Sequence, residues 1–464
     1  MQNFDLVIRG GTLVTASEIY QADIGIQGGI IAAIGTDLQG KQVIDAKGKL
    51  VLPGAIDPHV HLDMPQGAAV SSDDFETGTI AAAFGGTTTL IDFIEPEIDE
   101  PLLDALRLRR AQADGKVSID YGLHMTLSQA NAQVLNQVPA ALEAGCSSFK
   151  TYLTYEGFRL DDESFLAACE AVGKAGGIVL VHAENHAAIE RLRAQALSAG
   201  NVAPRFHPRT RPEGTEGEAV ERALTLAEIA DCPLYVVHVS TGRGAEAMAR
   251  ARLRGQHAFG ETCPQYLVLT HAEFDRPGFD GAKFVCSPPL RPADNPPVLW
   301  HQLAADGLSS VGTDHCPFNF EGQKDLGRAD FTKIPNGLPG IESRLALLYT
   351  FGVGQKRLSL NRWVDVCSTT PAKIFGLYPR KGTLAPGADA DIVLFDPQRK
   401  VTLSRSVLHE RVDYTPYDGI SLKGYPTTTI ARGKILCREG EWIGPTGQGQ
   451  FLKRGRHERH TYFA

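Results

Sequence analysis

Residues 52–62 read LPGAIDPHVHL, an apolar run that breaks at Pro53-Gly54 and ends on two histidines placed two apart. Side chains two apart on a strand share a face, so His59 and His61 are expected to point together into whatever that strand lines. The pattern recurs down the chain: Lys150 sits in SSFKTYL (147–153), His182 in GIVLVHAE (177–184), His238 in PLYVVHVS (233–240) and Asp314 in SSVGTDH (309–315). Each is carried to the downstream end of a strand-like run. Several such positions in one chain suggest side chains converging on one rim of a parallel barrel, where the active sites of that fold lie.

Further strand-like runs are AIDPHVH (55–61), TTTLIDF (87–93), IDYGLHM (119–125) and HAFGETC (257–263). Helix-type segments fill most of the gaps, among them TGTIAAAFGG (77–86), DDESFLAACEAVGKAGG (161–177) and GEAVERALTLAEIADC (217–232). Eight strands with helical crossovers indicate an α/β fold, a (β/α)8 TIM-type barrel over residues 53–375. Residues 1–52 carry short strands broken by glycine, and similar material returns over 376–443. Neither end has enough strands to close a core alone. Together they are expected to build one small β-sandwich domain, followed by a tail over 444–464.

Net charge is −8, with no basic field for nucleic acid or an anionic membrane. The basic stretch from Lys453 to Arg459 is short and terminal and reads as solvated. No apolar run approaches the roughly 18 residues of a membrane span, and MQNFDLVIRGG has no signal-peptide pattern, so a cytoplasmic protein is expected. The eight cysteines are scattered without a C-x-x-C pair and read as free thiols. Cys316, two residues after Asp314, fits a small buried thiol better than a soft ligand.

The six rim residues suit metal chemistry. Imidazole is a favoured ligand of zinc and related ions, although H-x-H alone is a weak signal and a lone histidine after an apolar run is more often a core or loop residue. Lys150 is the unusual member, since a charged, unpaired lysine in a buried strand costs several kcal/mol. It either pairs with a carboxylate or stays neutral. As a neutral amine it can react with CO2 to give a carbamate whose two oxygens could bridge two metal ions. His182 and His238 can serve the second metal. Asp314 could be a plain helix N-cap, or it could bind metal and take a proton from the water nucleophile. Two metals sharing a hydroxide lower its pKa and polarise a carbonyl. His124, His186, His207, His257 and His315 read as structural or solvent residues, with His124 nearest to a strand end.

The motifs LPGAIDPHVH, GGTTTLIDF, SSFKTYLTY, VHAEN, RFHPRTRP, PLYVVHVSTGRGAE, ETCPQYL, KFVCSPPLR, GTDHCPF, KIPNGLPGIESR and PAKIFGL run from residue 52 to 376, and PGADADIVLFD follows them. In these the chain resembles the dihydropyrimidinase/hydantoinase family of the amidohydrolase superfamily. The resemblance implies hydrolytic ring opening of a 5-substituted hydantoin or a 5,6-dihydropyrimidine to an N-carbamoyl amino acid, through a hydroxide bridging two divalent ions. It implies zinc, with manganese or cobalt able to occupy the same site, and a homotetramer. His59, His61, carboxylated Lys150 and Asp314 would hold the more buried metal, and Lys150, His182 and His238 the more exposed one. Asp314 would shuttle the proton, and Tyr155 would donate to the oxyanion. Backbone groups of Ser287 and Asn336 would hold the imide.

From sequence alone Tyr155 is as readily a buried aromatic, and Ser287 and Asn336 are turn residues beside proline and glycine. The chain departs from many members at Tyr152-Leu153-Thr154-Tyr155 and at His186-Ala187 after HAEN, and its wording is more similar to the aryl-hydantoinase branch. A dihydroorotase or an allantoinase is the nearest alternative. Against the former, Asp63 stands where dihydroorotases place a carboxylate-gripping arginine. A non-catalytic scaffold of the same fold is disfavoured because all six ligand positions are filled.

Overall fold

The structure, a computed structural model, describes residues 3–457. All eight expected barrel strands form: Ala55–Val60, Thr87–Ile94, Asp120–Thr126, Ser148–Tyr152, Ile178–His182, Leu234–Val236, Ala258–Thr262 and Ser310–Val311. They pair in parallel, each with the next in chain order. The helices between them follow ordinary local rules. In Asp162–Ala175 the Asp161 side chain caps the Ser164 amide, Phe165, Ala168, Cys169 and Val172 form the buried stripe, and Gly176 ends the helix at φ 83°.

The first and eighth strands share no ladder among the described residues. Their seam is closed by other means. Arg344, from the GIESR motif and 1% exposed, donates to the carbonyls of Ile56 (2.8 Å) and Val311 (2.7 Å), one on each side. Above it the Thr313 hydroxyl donates to Asp57 Oδ2 (2.7 Å), the Asp314 amide to the His59 carbonyl (2.9 Å) and the His61 amide to the His315 carbonyl (2.8 Å). The downstream rim is thereby tied together at the residues that carry the ligand pattern.

The opposite end of the lumen is apolar. Ile56, Ile91, Phe93, Ile178, Leu180, Tyr235 and Phe259 pack with Ile374, Phe375 and Leu452, which come from beyond the last strand. Here the expectation of a solvated Lys453–Arg459 is corrected in part: Lys453 and Arg456 are exposed, but Arg454 is not. Tail and barrel exchange backbone hydrogen bonds, Tyr121 N to the Gln450 carbonyl (3.0 Å) and Leu452 N to the Tyr121 carbonyl (2.7 Å). This pairing drives Leu452 into the apolar end and buries Arg454 to 1% exposure, its guanidinium donating to the Leu123 carbonyl. Arg459 lies outside the described residues.

Strands from both chain ends share one nine-stranded sheet. Its pivot is Asn3–Val14. Residues before Gly10 pair with Gln39–Asp45, a strand the polar QGKQVID does not announce, and Thr12-Leu13 pair with Leu50–Pro53. A bulge between Ile8 and Gly11 separates the two stretches. A Cβ on Gly11 would lie 2.3 Å from Val51 Cγ2, so the bend needs glycine. Leu6, Ile24, Ile44, Val51, Ile392 and Ile430 close a core of their own between the early and late strands. Among the described residues no helix is long and apolar enough to cross a membrane.

Candidate metal centre

Two groups of side chains meet at the rim. In the first, His59 Nε2 lies 3.2 Å from His61 Nε2, and Asp314 Oδ1 lies 3.2 Å from each. Glu261, at the end of the seventh strand, decides how His59 presents itself. Its Oε1 is 2.7 Å from His59 Nδ1 and accepts from the His238 amide (3.1 Å), while Oε2 accepts from the Tyr235 hydroxyl (2.8 Å). Burial pushes this carboxyl up to about 7, yet three donors converging on it favour the ionised acceptor. The hydrogen of His59 therefore sits on Nδ1, and Nε2 is a bare lone pair aimed at the Asp314 carboxylate. Burial holds His59 neutral, its pKa well below the usual imidazole range. Two acceptors facing each other at 3.2 Å call for a cation between them, and His59, His61 and Asp314 form a donor set compact enough to hold one.

The second group is built the same way. His182 Nε2 is 2.8 Å from Glu184 Oε2, which leaves Nδ1 facing His238 Nε2 at 2.9 Å. Glu184 is fully buried, paired with Arg211 and held down at about 2, burial being outweighed by Arg211 and His182. The His59 and His238 rings are 5.4 Å apart, so the two groups are neighbours. Lys150, 1% exposed, belongs beside both, since its charge bears on His59, His182 and His238 alike. No ion pair to it exists among the described residues; the rings of Phe93 and Tyr152 lie 5.0 and 4.9 Å from its Nζ. Burial presses its pKa down to about 8 against the pull of Asp314 and Glu261.

Five of the six ligand-type residues line one cavity of about 530 Å³, whose walls include Tyr155, Ser287 and Asn336; His59 lies just beneath. Tyr155, His238 and Asp314 all have positive φ (74°, 40° and 52°), a cost the surrounding structure has to carry and which clusters at functional sites. Burial lifts the Tyr155 phenol to about 12, despite Arg211 and Ser287, so it stays a donor at neutral pH. Ser287 Oγ donates to Asn336 Oδ1 (3.0 Å), and the Asn336 amide donates to Gln66 Oε1 (2.7 Å). The carbonyls of Val285, Cys286, Pro288 and Pro335 are all hydrogen-bonded, whereas those of Ser287 and Asn336 accept nothing among the described residues. Both residues line the cavity.

His124 takes no part. Its nitrogens bond Ser148 Oγ (2.6 Å) and the Pro58 carbonyl (2.9 Å) inside the wall. His315 is buried against Asp73, and His207 holds the Cys286 carbonyl, whereas His186 lines the cavity mouth near Glu156. All eight cysteines are free and buried, and Cys316 lines the cavity. Sequence reading missed Glu261, Glu184 and Arg211. A carboxylate within the strand-end phrase ETCPQ was the available signal for the first.

The Dihydro-orotase-like family model matches residues 48–243 and the Amidohydrolase family model residues 284–436. The D-hydantoinase of Geobacillus stearothermophilus is 48% identical over 97% of both chains, and the D-phenylhydantoinase of Escherichia coli 40% identical over 97% of this chain and 98% of its own. The crystal structure of the dihydropyrimidinase from Brevibacillus agri superposes with a TM-score of 0.96 at 47% identity, covering 97% of this chain and 99% of that one.

Proposed function

We infer the working of this chain from the family it belongs to, the D-hydantoinases and dihydropyrimidinases among the amidohydrolases, which makes it an enzyme that opens cyclic amides by hydrolysis. Its substrates are 5-substituted hydantoins and 5,6-dihydropyrimidines, and its products N-carbamoyl amino acids. The observation that carries this reading is one cavity where His61, His182, His238, Asp314 and Lys150 meet Tyr155, Ser287 and Asn336.

The family uses divalent metal, and the donors here fit it. His59, His61 and Asp314 would hold one ion and His182 and His238 a second, with Lys150 joining both sets. For that, neutral Lys150 attacks CO2, a C–N bond forms, one proton leaves and an anionic carbamate remains. The buried, unpaired, pKa-depressed lysine supports this step. The carbamate would remove the cost of a buried cation and could supply a ligand to each set. When bound, the ions supply a hydroxide nucleophile at neutral pH and polarise the ring carbonyl. Zinc suits the histidine-rich set.

The chain's own groups do the rest. The free carbonyls of Ser287 and Asn336 accept the ring N–H groups and fix the scissile carbonyl toward Tyr155. The Tyr155 hydroxyl donates to the oxygen that becomes anionic. Asp314, among the ligands, takes the proton of the attacking water and returns it to the departing nitrogen. An acid at Asp63, lining the adjoining recess, disfavours the carboxylate of dihydroorotate. The same reading carries a homotetramer, placed in the cytoplasm. The test is reconstitution: metal-stripped protein given zinc should regain turnover of dihydrouracil or 5-phenylhydantoin in bicarbonate buffer and not in CO2-free buffer. Full recovery without CO2 would reject the carbamate, and no turnover of either ring would reject the substrate class.

A further inference from the structure

Lys324 lies outside the metal centre and has no role in the chemistry above, yet it is 0% exposed. A buried amine with no carboxylate beside it costs several kcal/mol when charged, so its place in the fold calls for a reason. Its Nζ donates to two backbone carbonyls, Val285 (2.9 Å) and Pro335 (2.8 Å), and Lys324 is in no ion pair among the described residues. Val285 stands two residues before Ser287, and Pro335 immediately before Asn336. The lysine thus joins the two cavity-lining segments that carry the carbonyls of Ser287 and Asn336.

The rest of the contacts complete the clamp. The Gly337 amide donates to the same Val285 carbonyl (3.0 Å), and His207 Nε2 holds the Cys286 carbonyl (2.8 Å) from the other side. Every carbonyl flanking Ser287 and the one preceding Asn336 is therefore committed. Those of Ser287 and Asn336 accept nothing among the described residues and remain available to a ring. Burial brings the Lys324 amine down to about 7, with the Cys286 and Cys316 thiols as its only ionisable influences. A neutral amine has two N–H donors, matched to the two carbonyls it reaches.

We propose that Lys324 is a positioning residue for imide recognition: its Nζ sets the spacing and orientation of the Ser287 and Asn336 carbonyls by holding those of Val285 and Pro335. This rests on the reading that these two carbonyls bind the ring. A bond to the ring's N–H groups is made in the ground state as well as the transition state, so its loss is expected in KM more than in kcat.

The experiment compares zinc-loaded wild type with Lys324→Met, which keeps the bulk and loses both donors, and Lys324→Gln, which keeps a shorter donor. Initial rates on dihydrouracil and 5-phenylhydantoin are measured beside zinc content and thermal midpoint. The expected result is KM raised about tenfold or more for Lys324→Met on both rings and less for Lys324→Gln, with kcat within about threefold and zinc content as in wild type. KM within twofold of wild type would overturn the proposal, whether or not the midpoint falls. So would failure of both variants to fold, since the lysine would then serve the barrel and not the two segments. Zinc-loaded wild type inactive on both rings would overturn the functional reading, and this role with it.

Discussion

Replacing Glu261 by glutamine isolates what one buried carboxylate does for metal binding. The amide keeps the size and most of the bonding. Its oxygen can accept from His59 Nδ1 and from the His238 amide, and its NH2 can donate to Tyr235, whose hydroxyl can turn toward Ser310 Oγ at 2.8 Å. The negative charge behind His59 is what disappears. A hydrogen bond to a charged group contributes about 1.5–3 kcal/mol, and each ~1.4 kcal/mol is tenfold in affinity. Zinc bound through His59 should weaken by about ten- to a hundredfold, the range known for such supporting carboxylates. Dialysis against graded chelator, with zinc counted by mass spectrometry and turnover read on the same samples, measures this directly. Chelator curves for Glu261→Gln that superpose on wild type within twofold would refute the argument that Glu261 fixes and charges His59.

Other expectations follow from the same contacts. Gly312→Ala places a Cβ 2.5 Å from Glu261 Oε2 and 3.0 Å from His59 Cβ, so it should lower zinc retention although no ligand is changed; unchanged retention in the chelator series would contradict this. Lys381→Met removes the cation 2.7 Å from Asp120 and Asp391 and 3.0 Å from Asp389; Asp120 keeps Arg432 and Asp389 keeps Arg380, but buried Asp391 is left with no cation among the described residues, and a loss of ~3–5 kcal/mol should appear as a thermal midpoint several degrees lower. Buried His207 is neutral, pushed down to about 3 by burial and Arg211. Its stability contribution is whole above the unfolded pKa of about 6.5 and is lost as pH falls toward 3, by up to ~1.4 kcal/mol per unit. His207→Gln keeps the donor to Cys286 without titrating, so its midpoint should drop less than that of wild type between pH 7 and pH 5; parallel curves would speak against it. Truncation after Gln450 removes Leu452 and Arg454 from the barrel's apolar end and should cost stability well beyond that of a solvated tail, read by the same melt.

The barrel and its rim could be read from the chain because both are written locally. Strand-length apolar runs end on His59, His182 and His238, and a strand fixes where its last side chain points. What escaped reading depends on partners far away. Glu261 looks like any strand-end acid until His59, 202 residues earlier, arrives at its oxygen. Lys324 stands between two loops that meet only in the folded chain, and Arg344 reaches strands at opposite ends of the barrel order. The tail misled at Arg454 for a related reason: a basic composition favours water, as it does at exposed Lys453 and Arg456, but the backbone pairing just before Arg454 carried this one inward. Gln39–Asp45 carries mostly polar side chains, and only its neighbour makes it a strand.

The seam between the first and eighth strands has a consequence for how the protein ages in solution. His59 and His61 stand on one lip, Asp314 on the other, and among the described residues no ladder joins the lips below them. An ion held by all three would add a rivet to the hydrogen bonds that already cross this seam, so that occupancy and stability become linked. At a free-ion concentration a hundred times its dissociation constant such a rivet would add about 2.7 kcal/mol. Storage life, protease resistance along 309–316 and tolerance of heat should then follow the free metal in the buffer more closely than the protein's own concentration.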